Sequence, residues 1–83
     1  MSALKTLQQQ RTQLRQQVLL HLQNLQIPYQ LDKQSVLLPA GRLDFAPTEL
    51  QLHPDGKASR YLPYPKVRLS HLEVLFRAQL QAA

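Results

Sequence analysis

Lys57, Arg60, Lys66 and Arg68, interleaved with Tyr61 and Tyr64, fall within one short stretch that contains no carboxylate. Cations neutralise phosphates and tyrosine rings stack on unpaired bases, so this combination carries the chemistry of a nucleic-acid surface. A solvated basic strand has the same composition, which makes the signal broad. A second acid-free run opens the chain: the first carboxylate is Asp32, and before it stand Lys5, Arg11 and Arg15, with Gln8, Gln9, Gln13, Gln16 and Gln17 between the charges. A soluble helix usually sets Glu against Lys or Arg at i,i+4. This one leaves its cations for a partner, and Arg and Gln can each make bidentate contacts to base edges. Arg11 and Arg15 therefore join the candidate nucleic-acid site. The net charge of +5 and the pI near 10.1 favour an anionic partner, although charge of this size also keeps a small domain soluble.

Catalysis finds little support in the same inventory. His21, His53 and His71 lie on different segments, none in a metal-ligand spacing, and there is no Cys. His53 and Asp55 flank a turn in which Asp55 has a backbone role. Ser70 and His71 are adjacent, so on a helix their side chains diverge. Asp44 and Glu49 are near in sequence, but two carboxylates without a third group do not make an active site. Neither glycine belongs to a phosphate-loop motif. The expectation is a protein that is not an enzyme and needs no metal or cofactor.

The elements that must position these residues follow from periodicity. The 83 residues suit a single domain, one that buries only about 60 to 65 per cent of its unfolded surface and gains from association. Ser2 is a candidate N-cap. From there to residue 26, Leu4, Leu7, Leu14, Val18, Leu22 and Leu25 form one amphipathic stripe, with Arg11 in the gap. Ile27-Pro28 ends the helix. A helix of that length is about 35 Å long, against about 30 Å for a compact domain of this size. Its start should overhang, which makes Leu4, Leu7 and Leu14 the expected dimer or partner interface.

Residues 29–62 read as a small antiparallel sheet of three to five short strands. Tyr29 to Leu31 and Val36 to Leu38 flank a polar turn, Pro39-Ala40-Gly41 is a break, Leu43 to Phe45 is a short strand, and 49–53 alternates cleanly. His53-Pro54-Asp55-Gly56-Lys57 matches a turn in which Gly accepts positive φ, and returns 58–62 against 49–53. Pairing Lys57 with His53 puts Arg60 and Leu62 on the Leu50/Leu52 face and Tyr61 with Glu49 and Gln51, whereas a bulge after Gly56 reverses this. Residues 63–69, with Pro63 and Pro65, are expected to run extended. Ser70 and Glu73 make a capping box for a helix over 70–81, with Leu69 and Val74 as its staple and Leu72, Leu75, Phe76 and Leu80 buried. The class is α+β: a long N-terminal helix, a small sheet and a C-terminal helix.

These observations lead to a small non-enzymatic nucleic-acid-binding protein, dimeric, acting through Lys57, Arg60, Tyr61, Tyr64, Lys66 and Arg68 with help from Arg11 and Arg15. The alternative is a protein-interaction module, an adaptor or an inhibitor of a larger complex, working through the first helix and a sheet edge. No signal peptide or membrane-length apolar run is visible, so the expected location is the cytoplasm, away from membranes.

Overall fold

The structure, a computed structural model, describes the backbone of residues 3–82 and the side chains of residues 6–81. The expected cap at Ser2 and the side chains of Leu4 and Lys5 lie outside these residues. Helix α1 spans Ala3–Asn24, and five strands follow: β1 Gln30–Asp32, β2 Ser35–Leu38, β3 Gly41–Phe45, β4 Glu49–Pro54 and β5 Arg60–Pro63. Two 3₁₀ turns, Tyr64–Lys66 and Leu69–Leu72, lead into α2 over Glu73–Ala82. The strands form one antiparallel meander in chain order, which bears out the α+β architecture.

Helix α1 lies where its stripe requires. Leu14, Val18 and Leu22 are buried in the core, and Leu7, Leu19 and Leu25 are partly buried against it. Burying a side chain of this kind is worth about 1.5–3 kcal/mol relative to exposing it. The helix ends in a Schellman arrangement: Ile27 N–H donates to the Leu22 carbonyl at 2.9 Å and Gln26 N–H to the Gln23 carbonyl at 3.1 Å. Gln26 adopts φ 58° there, a position that glycine normally fills, and Ile27 is buried. The molecule measures 43 × 26 × 23 Å, elongated as a helix longer than its sheet requires.

The strand register sorts side chains onto two faces. Val36, Leu43 and Leu52 align on the helix side, and so do Phe45, Leu50 and Leu62. Ser35, Asp44, Gln51 and Tyr61 align on the outer side. The segment read as a break at Pro39-Ala40-Gly41 is a tight hairpin, with Leu38 opposite Gly41. The turn after β4 closes between Lys57 N–H and the Pro54 carbonyl at 3.4 Å, with Gly56 at φ 72°. Residues 57–59 then stay in the loop, so Leu52 faces Arg60 and the register is two residues from the Lys57–His53 pairing. An even shift keeps every side chain on its face, so Arg60 and Leu62 share the Leu50/Leu52 face as that pairing expects.

Three details after β5 differ from expectation. Residues 63–69 are not simply extended, because Pro65 presets a helical φ and Tyr64 folds inward in the first 3₁₀ turn. The capping box at Ser70 is absent: the second 3₁₀ turn starts at Leu69, Arg68 N–H donates to His71 Nδ1 at 3.2 Å, and Leu69 and Val74 are exposed. Leu80 is also exposed, and Gln79 occupies the buried position in its place. Its Oε1 accepts Ala40 N–H at 2.6 Å and its Nε2 donates to the Leu75 carbonyl at 3.1 Å, which ties α2 to the β2–β3 turn.

Tyr64 is 5% exposed, with its hydroxyl donating to the Ala46 carbonyl. Burial pushes its pKa up from 10.0 to about 12, opposed by the Arg11 guanidinium alongside. Below pH 10 the phenol is protonated folded and unfolded, so the stabilisation is complete. Above it the unfolded chain ionises first, and stability falls until the pH passes about 12, a loss of roughly 2–3 kcal/mol. Urea unfolding across this range should show that fall, and Tyr64→Phe, less stable at neutral pH by about 1 kcal/mol for the lost hydrogen bond, should show a smaller one. Equal slopes in the two proteins would count against the assignment.

Candidate anion and nucleic-acid interface

The expected site residues do not form one surface. Tyr64 is in the core and cannot stack on a base, which removes it from the interface. Arg60 and Tyr61, adjacent on β5, point to opposite sides of the sheet: Arg60 faces the helix side opposite Leu52, and Tyr61 the outer side opposite Gln51. Lys57 sits in the β4–β5 turn, and Lys66 and Arg68 are exposed in or beside the 3₁₀ turns. Leu14 is 8% exposed and belongs to the chain's own core, so it is not an interface residue, while Leu7 is partly covered by that core. Three of the exposed apolar residues, Leu20, Leu69 and Leu80, flank the α1–α2 seam, where His21 packs on Phe76 with ring centroids 4.9 Å apart, while Leu31 and Leu37 are exposed on the sheet.

The packing of α1 against the 3₁₀ turn Tyr64–Lys66 brings the two acid-free runs together. Arg11, at a core-type position, explains part of the contact: its Nε donates to the Phe45 carbonyl at the end of β3, 2.8 Å away, and its charge lies near the Tyr64 hydroxyl. One turn along, Arg15 shares a crevice of about 250 Å³ with Arg11, Thr12, Gln16 and Leu19, closed on the far side by Lys33, Gln34 and Phe45. Sequence reading placed Arg11 and Arg15 here but missed Lys33, whose approach depends on the β1–β2 hairpin folding back along the helix.

The outer face has the opposite character. Asp32, Asp44 and Glu49, three of the five acids in the chain, belong to it by register. Asp44 is 8% exposed and held from three sides: Ser35 Oγ donates at 2.6 Å, Arg42 Nε at 3.2 Å, and His53 Nε2 lies 3.2 Å away. His53 Nε2 also faces Gln51 Oε1 at 3.4 Å, so acceptors surround that nitrogen and suit it as a donor. Nδ1 and the Ser59 hydroxyl share a hydrogen bond at 2.8 Å. The sequence pattern gave no hint of this chain, because Asp44 and His53 meet only diagonally across the β3–β4 pair. A serine, a histidine and an aspartate are in order here, yet the best-formed crevices of the surface are lined by other residues. Among the described residues no third carboxylate or histidine joins Asp44 and His53 to complete a metal site. The network ties β2, β3 and β4 together on their outer side and anchors the β4–β5 loop through Ser59.

The chain matches no protein-family model, no curated protein and no solved structure. Among the described residues no helix is long and apolar enough to cross a membrane.

Proposed function

We propose that the protein binds nucleic acid through its helix side, by phosphate neutralisation rather than base stacking. The observation that carries this reading is the separation of charge across the fold. Arg11, Arg15, Lys33, Arg60 and Lys66 lie on or beside the helix layer, and the stretches that carry Arg11 and Arg15, and Arg60 and Lys66, hold no carboxylate, while Asp32, Asp44 and Glu49 belong by register to the outer sheet face. Potential of one sign on one side attracts and orients a polyanion. Tyr61 lies among the acids, beside His53 with centroids 6.2 Å apart, and takes no part. Selectivity then comes from shape and backbone contacts.

Fluorescence anisotropy against random duplex DNA, single-stranded DNA and RNA tests this at about 50 and 200 mM salt, the range over which phosphate contacts reveal themselves. Micromolar binding that collapses with salt is expected. No binding at the lower salt would end the reading.

The apolar seam supports a second reading, in which a protein partner or another copy of the chain covers Leu20, Leu69 and Leu80. The largest apolar patches of small proteins often serve association. Sedimentation of the wild type and of Leu20→Glu/Leu80→Glu separates the cases. A larger species that the double variant reduces to monomers supports the seam as an interface, and a wild-type monomer at all concentrations argues against self-association.

A further inference from the structure

We propose that the crevice between α1 and the β1–β2 turn binds a phosphate monoester, and that in the protein's working state this is the terminal phosphate of a nucleic-acid strand; the second part rests on the nucleic-acid reading above. Three cations, Arg11, Arg15 and Lys33, line one concavity, and no carboxylate lies among the lining residues. Gathering like charges costs energy unless an anion fills the space between them. An internal phosphodiester brings a single charge, whereas a terminal phosphate brings about −1.5 to −2 at neutral pH and three acceptor oxygens. The second matches three cationic donors better. The volume of about 250 Å³ equals roughly eight waters at ~30 Å³ each, room for a phosphate and part of its sugar but not for a duplex.

Three features indicate that the cations are prepared for a ligand. Arg11 is pinned through Nε to the Phe45 carbonyl at 2.8 Å and its guanidinium also lies against the Tyr64 hydroxyl, which holds the charge in place at the crevice wall. Arg15 Nε is shielded from solvent and has no acceptor among the described residues, a state that costs free energy until an oxygen reaches it. Lys33 holds φ 55° in a two-residue hairpin turn, where glycine is the usual occupant. Strain of this kind gathers at binding sites, where a side chain is needed despite its backbone cost.

That last point supplies a test that unfolding cannot mimic. In Lys33→Gly the charge disappears while the turn gains a residue suited to its φ, so the variant should melt at or above the wild-type temperature. The full chain, Lys33→Gly and Arg15→Gln would be titrated with inorganic phosphate, followed by amide NMR shifts. Matched oligonucleotides with and without a terminal phosphate, placed at either end, would be titrated in parallel. We expect phosphate to shift the amides of Arg15, Lys33 and Gln34, and the phosphorylated strand to bind about tenfold more tightly than its hydroxyl counterpart. Both variants should erase these differences. Oligonucleotides that bind equally with and without the terminal phosphate, or a preference that survives in Lys33→Gly, would overturn the terminal-phosphate site and leave nucleic-acid binding standing. Phosphate binding that both variants lose, with no oligonucleotide bound at all, would uphold the phosphate crevice and overturn the nucleic-acid reading. No shift with phosphate would remove the crevice itself.

Discussion

Gly41→Ala will destabilise the fold by about 2–5 kcal/mol, the sum of a backbone penalty and an overpacking penalty. Gly41 opens β3 at φ 147°, a conformation that side-chain-bearing residues rarely adopt. A Cβ there would sit 2.8 Å from the His53 carbonyl oxygen and 3.1 Å from Pro54 Cα, both backbone atoms of the paired strand, which cannot swing away as a side chain does. It would also press on Leu75 Cδ1 at 3.2 Å, where α2 covers the β2–β3 turn. The same turn is held by the buried Gln79 amide against Ala40 N–H. The substitution therefore strains the sheet and the docking of α2 together. At about 0.05–0.15 kcal/mol per residue, a domain of this length has roughly 4–12 kcal/mol in total, so the substitution removes a large fraction of its stability. Urea unfolding followed by circular dichroism measures the effect. A midpoint within error of wild type would show that the strands relax around the added methyl group.

Much of the architecture was legible because it rests on local pattern. The Leu14, Val18, Leu22 stripe marks one helix face, and the alternation of Glu49 to His53 marks a half-buried strand. The Asp55-Gly56 turn was legible too, since only glycine takes its φ freely. What escaped depends on partners distant in sequence. Gln79 looks like a solvated helix residue until the Ala40 amide, 39 positions away, needs an acceptor. Tyr64 looks exposed between two prolines until the 3₁₀ turn swings its ring under Ala46. The cation cluster was half visible for the same reason: Arg11 and Arg15 are one helical turn apart, but Lys33 reaches them only through tertiary packing. Composition announced a basic protein and left undecided which side the charge occupies. The register decides that, since Asp44 and Gln51 share one face while Leu52 and Arg60 share the other.

Replacing Arg60 and Lys66 together by Gln should then weaken nucleic-acid binding and reduce its dependence on salt, whereas Arg42→Gln should leave that dependence unchanged. The reasoning is counterion release. Each phosphate neutralised contributes about 0.9 to the slope of log affinity against log salt on duplex DNA, so two lost contacts lower the slope by about 1.8. Between about 50 and 200 mM salt, a fourfold change, wild-type affinity should therefore fall roughly 12-fold further than that of the double variant. Both substituted side chains are solvent-exposed, so the fold should be little affected. Arg42 carries the same charge but lies on the outer face, paired with Asp44 at 3.2 Å and opposite His53. Net charge falls by only one in Arg42→Gln and by two in the double variant, so a response that merely tracked net charge would give Arg42→Gln half the effect. A flat response for Arg42→Gln beside a full response for the helix-side pair places the polyanion against α1. Equal effects per charge would mean that the basic balance acts at a distance, with no defined docking face.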